Sequence, residues 1–234
     1  MKSKRKTRTW SRRLERNILA CYQAANESDR NEGLFWYAQA HEQAELLSAR
    51  YGITVEQSAG VIAAISPGLQ WGLNVLQAEQ LIKAHLEGTA IPMIGVYGKG
   101  NIHKAIAILS GTAPLDALPI TGPKVRAFYS CILDPKSSLE VCIDRHAKCL
   151  ALNESATKNG YASNDANAIV TRAEYPYYVW HYRKLAERLG LIPHQLQAIV
   201  WIAWRRLQGK IETEKIKNGY LYGPSGDETR TVIY

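Results

Sequence analysis

The sequence contains no apolar stretch that could cross a membrane. A spanning helix needs about 20 consecutive apolar residues, and polar or charged residues interrupt every apolar run of this 234-residue chain earlier than that. The charged N-terminus also lacks the apolar segment of a signal peptide. We therefore expect a cytoplasmic protein, in a bacterial host or at its nucleoid, that is not secreted and has no membrane partner.

Cysteine is scarce, and no C-x-x-C pair occurs. The four cysteines are Cys21, Cys131, Cys142 and Cys149, and a chain of this length can bury a sizeable core without disulfides. A zinc site normally needs two close pairs of ligands, which neither the cysteines nor the six scattered histidines supply. The sequence predicts cysteines that pack in the core, no metal and no cofactor.

Strand-like alternation of apolar and polar residues is missing until about the last dozen residues. Apolar residues instead recur every three or four positions, which indicates amphipathic helices and an all-α fold. Thr54 and Gln57 predict a capping box, Pro123 and Pro193 suit first helical positions, and several helices should stop at glycine. The predicted helices are 12–26, 34–50, 55–65, 73–87, 101–109, 124–133, 145–152, 177–189 and 194–208.

Acidic residues are nearly absent from the first 16 positions. That segment has eight Lys or Arg and a single acid, Glu15, in a chain whose net charge is +8. The pattern is typical of an arm that neutralises phosphates and equally of a solvated tail. We predict a basic arm over 1–16, a helical domain over 17–218 and an irregular or β tail over 219–234, with a long polar connection at 153–174.

The stretch 118–124, Leu-Pro-Ile-Thr-Gly-Pro-Lys, lies between two predicted helices and predicts a helical hairpin over 112–133. Gly122 would permit a strained backbone angle, and the amides that open the second helix would form a site for a DNA phosphate. The alternative is an ordinary connection between two helices.

Twenty positions after Lys124, the apolar run Val141-Cys142-Ile143 leads to Asp144, which opens a helix. Asp144 is a good N-cap residue. The connecting chain is also long enough to bring it back towards Lys124, because an extended chain spans about 3.3 Å per residue. We expect Lys124 and Asp144 to share one cleft.

These elements resemble the hallmark of the helix-hairpin-helix superfamily of DNA glycosylases. The hallmark is a leucine-proline-glycine-x-glycine-x-lysine hairpin followed 18 to 20 residues later by valine-aspartate-x-histidine. Ile120 departs from it, since the family has glycine there. The resemblance implies a two-lobed glycosylase-like fold that binds double-stranded DNA, with Lys124 as nucleophile and Asp144 as the acidic catalytic residue. It implies DNA contacts at Thr121, Gly122, Pro123, Arg126, Arg145 and His146.

A weaker match lies upstream, where the helix ending at Ser66 and the residues after it are similar to the part of the fold beside the target base. This resemblance implies a base pocket that includes Gln70, Trp71 and Asn74. Trp71 is equally well explained as a core aromatic residue. No protein partner is expected.

The Gly122-Pro123-Lys124 and Ile143-Asp144-Arg145-His146 patterns also resemble a phage-associated branch of the superfamily, the α-glutamyl/putrescinyl-thymine pyrophosphorylase-like proteins. The main expectation is a DNA glycosylase, with or without lyase activity, that extrudes a damaged or modified base. The alternatives are a transferase or pyrophosphorylase acting on a hypermodified pyrimidine in DNA, a non-catalytic DNA-binding module and an all-helical scaffold.

Overall fold

The computed structural model describes residues 2–92, 99–120, 122–153 and 170–207, with side chains from residue 11 onward. Over these ranges the chain is helical and contains no strand, which confirms the predicted all-α class. The predicted C-terminal tail and most of the predicted polar connection lie outside these ranges. The ten helices of the described ranges are α1 (Lys2–Ala24), α2 (Glu27–Tyr51), α3 (Val55–Ile65), α4 (Trp71–Glu87), α5 (Lys99–Leu109), α6 (Pro114–Ala117), α7 (Pro123–Leu133), α8 (Arg145–Leu152), α9 (Tyr175–Leu189) and α10 (Pro193–Leu207).

Local hydrogen bonds explain where most helices begin and end. The Thr54–Gln57 capping box is present at the start of α3, and Pro123 and Pro193 open α7 and α10 as predicted. Gly88 and Gly190 end α4 and α9 in the left-handed conformation, which a residue without a Cβ adopts at little cost.

Helix α2 begins seven residues earlier than predicted. Asn26 and Asp29 make reciprocal bonds, in which the Asp29 amide donates to Asn26 Oδ1 at 2.8 Å and the Asn26 amide donates to Asp29 Oδ2 at 3.0 Å. This is a capping box in which aspartate replaces the usual glutamate. The short helix α6 was also absent from the prediction, because four residues are too few to show a period.

The chain divides into two compact units. Unit 1 comprises Met1–Trp36 and Leu139–Tyr234, and unit 2 comprises Tyr37–Ser138. Within unit 1, helices α1, α8, α9 and α10 pack on one another. Within unit 2, α3 lies at the centre, in contact with α4, α5, α6 and α7, and its residues 58–65 are all buried.

The predicted boundary between a basic arm and a helical domain, at residue 16, falls inside a packed helix. Helix α1 runs through it without interruption, and Leu14 is fully buried. Ser11 shares a 2.6 Å hydrogen bond with Tyr177 of α9, and Arg13 donates to the carbonyl of Leu152 at the end of α8. Residues 11–16 therefore belong to unit 1, because α1 provides one of the surfaces on which that unit packs.

All four cysteines are free and buried, as predicted for packing residues. The Cys21 thiol donates to the carbonyl of Val200 at 3.3 Å. Burial raises the pKa of Cys21 to about 12, so this thiol stays protonated at neutral pH. None of the described helices is both long enough and apolar enough to span a membrane.

Gly33 is needed where α2 meets α10. A Cβ at this position would lie 2.5 Å from the backbone N and Cα of Ile199, and backbone atoms cannot move aside as a side-chain end can. We expect Gly33→Ala to lower the free energy of unfolding by about 2 kcal/mol or more, the cost of an overpacked core. Urea denaturation followed by circular dichroism measures this loss.

Gly100→Ala is the matched control, since Gly100 lies in α5 and the added Cβ would meet no described residue beyond its own helix within 4 Å. Alanine is favoured over glycine inside helices by up to about 1 kcal/mol, so this variant should be neutral or slightly stabilised. Equal stability of the two variants would contradict the close packing of Gly33.

The Glu15–His181 pair links α1 to α9 and should make unit 1 sensitive to acid. His181 Nδ1 lies 3.0 Å from Glu15 Oε1. Burial lowers the pKa of His181 more than the carboxylate raises it. Burial acts to raise the pKa of Glu15, but bonds from Lys184 and His181 outweigh it and hold that pKa below its usual value.

The lowered pKa values of Glu15 and His181 both make the folded state less stable as the pH falls. A histidine with a depressed pKa resists protonation in the folded state, so stability falls as the pH drops below about 6.5, the value of an unperturbed histidine. The contribution of Glu15 is lost only at lower pH. We expect the unfolding free energy of His181→Asn to fall less between pH 7.5 and 5.5 than that of the parent chain, and equal slopes would contradict this account.

Candidate functional site

The predicted hairpin is formed by α6, a short connection and α7, all within unit 2. The Gly122 amide donates to the carbonyl of Pro119 at 2.9 Å, and the Val125 amide donates to the carbonyl of Gly122 at 3.1 Å. Gly122 has a φ of −108°, a value open to any residue. The left-handed angles that a glycine permits are therefore not used at Gly122.

The same bonds use backbone amides that were predicted to bind an anion at the start of α7. The amides of Gly122 and Val125 donate within the hairpin, and Pro123 has no N–H to offer. In the described part of this turn, the Lys124 amide is the one left to donate to a phosphate. Thr121, also predicted to contact DNA, lies outside the described residues.

Arg126 has a structural contact that the sequence did not predict. Its Nη1 donates to the carbonyls of Leu115 and Leu118, the latter at 3.0 Å. These carbonyls belong to α6 and to the residue that caps its C-terminus, where backbone acceptors are left without helical partners. Arg126 thus ties the two arms of the hairpin together, and its predicted DNA contact stays a prediction.

Lys124 is half-buried in the first turn of α7. Within the described ranges, its ammonium has neither a hydrogen-bond acceptor nor an ion-pair partner. The positive end of a helix dipole disfavours a cation there by about 0.3–1 kcal/mol, so helix stability does not account for a lysine at this position. The side chain is available to react with an external group.

An aromatic cluster lies on the face of α7 that carries Lys124. Phe128 follows Lys124 by four residues, so the two side chains are neighbours on that face. The ring of Phe128 meets Trp71 edge to face at 6.4 Å and Tyr37 at 6.2 Å. Trp71, a predicted pocket residue, is thereby brought to the same helix face as Lys124, and we call Lys124, Phe128, Trp71 and Tyr37 the α7 face.

The other two predicted pocket residues differ in exposure. Gln70 is exposed and is the N-cap residue of α4. Asn74 is only 2% exposed, and its Nδ2 donates to the carbonyl of Ile62 in α3 at 3.2 Å. Its Oδ1 accepts no hydrogen bond within the described ranges. Asn74 thus joins α4 to α3, and a base pocket there stays a prediction.

Asp144 lies in unit 1 and is the N-cap residue of α8. Its Oδ1 accepts a 2.8 Å hydrogen bond from the Ala147 amide, as in the simpler of the two sequence interpretations. No described residue donates a hydrogen bond to Oδ2. One carboxylate oxygen is thus fixed by the helix, and the other is available for a cation or a water molecule.

The sequence analysis did not identify the charged groups around Asp144. Asp144 and Glu32 both act to raise the pKa of Arg205, but burial has the larger effect and leaves that pKa below its usual value. The Arg205 guanidinium also lies 4.5 Å from the centroid of the Trp201 ring. The spacing of Trp201 and Arg205, four residues apart on α10, was the one sequence signal for this group.

Tyr182 is a further ionisable side chain near Asp144. It is fully buried, and its hydroxyl donates to the carbonyl of Ala147 at 3.3 Å. Burial, with smaller contributions from Cys21 and Asp144, raises the pKa of Tyr182 well above its usual value. Tyr182 therefore holds the first turn of α8 and does not exchange a proton near neutral pH.

Arg145 and His146, both predicted to contact DNA, occupy the first turn of α8 and are half-buried. Lys148, one turn further on, is buried and forms an ion pair with Glu174 at 3.1 Å. Burial acts to raise the pKa of Glu174, but bonds from Thr171 and Lys148 outweigh it and lower that pKa. This pair anchors α8 to the segment that precedes α9.

Within the described ranges, no three His, Cys, Asp or Glu side chains come together in an arrangement that could hold a metal ion. The chemistry available at the α7 face and around Asp144 is that of an amine, carboxylates, guanidinium groups and aromatic rings.

A family with the description "Family of unknown function (DUF7178)" has a model that matches residues 1–208. Neither a curated protein nor a solved structure matches the chain.

Proposed function

We propose that this chain, which belongs to the DUF7178 family of proteins of unknown function, takes a base out of DNA and cleaves its N-glycosidic bond. The observation that carries the proposal is the half-buried Lys124 in the first turn of the hairpin helix, about one turn before Phe128, whose ring contacts Trp71. The acidic residue expected 20 positions later, Asp144, has one oxygen fixed by the α8 amide. A glycosylase with lyase activity needs an amine as the nucleophile, and a carboxylate can stabilise the charge that develops on the sugar.

The α7 face supports a pocket for an extruded base. An enzyme that acts on a base must first unstack it, and the base is then held between aromatic or apolar groups. Trp71 and Phe128 meet edge to face, at 6.4 Å, and Trp71 is half-buried, so part of its surface is open to a ligand. Stacking on that surface would recover part of the energy lost on unstacking.

In the proposed reaction, the Lys124 amine attacks C1′ of the sugar, and the base leaves with the electron pair of the C1′–N bond and takes up a proton. The Asp144 carboxylate stabilises the positive charge that develops on the sugar. The C1′–O4′ bond then opens, O4′ is protonated by the amine, and a Schiff base forms between Lys124 and C1′. Loss of the C2′ proton can then break the C3′–O3′ bond, which is the lyase step.

The proposal is tested by borohydride trapping on a duplex with one abasic site, followed by peptide mass spectrometry. Hydride adds to the Schiff base carbon and leaves a stable amine between DNA and protein. We expect the adduct on the peptide that contains Lys124. An adduct on another lysine would contradict the assignment of the nucleophile, and salt-sensitive DNA binding without any adduct would favour a transferase, a glycosylase without lyase activity or a binding module.

A further inference from the structure

The net positive charge of the protein comes entirely from unit 1, because unit 2 has a net charge of zero. The segments Met1–Trp36 and Leu139–Tyr234 contain 22 Lys or Arg and 14 Asp or Glu, whereas Tyr37–Ser138 contains seven of each. The hairpin, on which the sequence analysis placed most of the DNA contacts, is thus part of a neutral unit. Because an anionic polymer is attracted by net charge, the main electrostatic contact is expected on unit 1.

Within unit 1, basic residues open to solvent line the outer side of α1 and α9. Arg12 and Arg16 are exposed on α1. On α9, the Lys184 side chain is 42% exposed and the Arg188 side chain, one turn further on, is 59% exposed. We call these four residues, together with Trp180, the α1–α9 surface.

The register of the two helices brings these residues onto one surface. Ser11 bonds to Tyr177, and Glu15 bonds to Lys184 at 2.7 Å, so α1 and α9 run side by side in the same direction. Arg12 and Arg16 each follow one of these contact residues and face solvent. Basic residues therefore flank the line along which α1 and α9 meet.

Glu15, the acid at the contact between α1 and α9, is already paired with basic groups. Glu15 is only 16% exposed and lies within 4.0 Å of nitrogens of His181, Lys184 and Arg188. Glu187, on α9, is an exposed acid. The four basic groups outnumber the acids, so the surface attracts anions.

An exposed aromatic ring lies among the basic groups. Trp180 is 54% exposed, and the Lys184 ammonium lies 5.1 Å from the centroid of its ring. The ring also meets His181 edge to face at 4.7 Å, which limits its rotamers. A tryptophan beside a cation can stack on a base whose phosphate the cation neutralises.

We propose that the α1–α9 surface binds single-stranded nucleic acid, with the four basic residues on the phosphates and Trp180 stacked on an unpaired base. This is a second contact, distinct from the α7 face, and it does not depend on the cleavage chemistry. Neighbouring aromatic and basic groups favour a nucleic acid over an acidic protein or a lipid surface, because a single strand carries a phosphate and a flat base at every residue.

Fluorescence anisotropy of the full chain with a labelled 20-nucleotide single strand, titrated with salt, tests this proposal. Each lost phosphate contact lowers the slope of log affinity against log salt by about 0.7 on single strands. Arg12→Gln/Arg16→Gln should therefore lower the slope by about 1.4. Lys83→Gln/Lys136→Gln, which removes two exposed charges of unit 2, is the charge-matched control and should leave it unchanged.

Trp180→Ala should weaken binding to the single strand about tenfold and binding to the duplex less than twofold, since a stacked platform needs an unpaired base. Glu187→Gln should strengthen binding by removing a repulsive charge. Equal effects of the two double variants, or equal effects of Trp180→Ala on single strand and duplex, would overturn the proposal.

Vesicles of phosphatidylcholine and phosphatidylglycerol form a second arm of the experiment, which tests binding to a lipid surface. If these variants weakened binding to the vesicles and left binding to the oligonucleotide unchanged, the surface would be assigned to membranes instead.

Fluorescence anisotropy reports binding to the single strand whether or not a base is released. Failure of base release therefore leaves this test unaffected, and loss of binding in Arg12→Gln/Arg16→Gln does not depend on cleavage.

Discussion

Replacing Lys124 with alanine is expected to abolish the borohydride-trapped adduct and the strand scission that accompanies it. The adduct requires a primary amine at C1′, and alanine has none. Residual base release by water is compatible with this result, because in the proposed mechanism Asp144 would still stabilise the charge on the sugar. The measurement is the amount of cross-linked product on a denaturing gel.

Lys136→Ala is the matched control for Lys124→Ala. Lys136 is an exposed lysine of the same unit, three residues beyond the end of α7, and its loss should leave the adduct unchanged. Fold is not at risk in Lys124→Ala, because the ammonium lacks a partner within the described ranges. An undiminished adduct in Lys124→Ala would show that another amine reacts, and would remove the proposed nucleophile.

Asp144→Asn is expected to lower the rate of base release by about 10²–10³-fold, the usual effect of removing one charge-stabilising group from a transition state. Asparagine caps helices about as well as aspartate, so the side-chain oxygen of the new amide can still accept the hydrogen bond from the Ala147 backbone. The substitution thus removes the charge and keeps the cap. Single-turnover release of base from a labelled duplex measures the change.

Asp144→Ala is the complementary variant for separating the two roles of this residue, its negative charge and its helix cap. It removes both the charge and the cap, and loss of an N-cap costs about 1 kcal/mol of stability. We expect both variants to lose activity and only the alanine variant to lose stability as well. Full activity in Asp144→Asn would mean that Asp144 serves as a helix cap alone.

The sequence predicted the helices well because their limits depend on local chemistry. The Thr54–Gln57 capping box and the prolines that open α7 and α10 are readable from neighbouring residues. The start of α2 was missed although Asn26 and Asp29 were visible in the sequence, because the apolar period was used to place it. Aspartate in the place of glutamate makes that capping box harder to recognise.

The parts of the site that the sequence did not predict depend on tertiary packing. Arg205 comes close to Glu32 and Asp144 only because α10 and α8 pack together in unit 1. The contact of Trp71 with Phe128 likewise joins residues 57 positions apart. Gly122 would permit a left-handed angle by its residue type, whereas its φ in the hairpin is negative. A shared cleft for Lys124 and Asp144 stays a prediction.

The division of charge also depends on the fold. From the sequence, the excess of basic residues in 1–16 indicated an arm or a tail, since nothing local shows that α1 packs against α9. Once Leu14 and Ser11 are seen in unit 1, Arg12 and Arg16 become part of a structured surface. The fixed positions of those charges are what make a specific nucleic-acid contact testable.

The most direct test of the proposed activity is mass spectrometry of DNA duplexes after incubation with the chain. The duplexes would carry uracil, an oxidised purine, an alkylated base or a modified pyrimidine. The account predicts a free base from at least one of them, in an amount equal to the sum of abasic and cleaved strands, and none from the Asp144→Asn chain over the same time. Duplexes that stay intact, or a target base that remains in the strand with an added group, would contradict cleavage of the N-glycosidic bond.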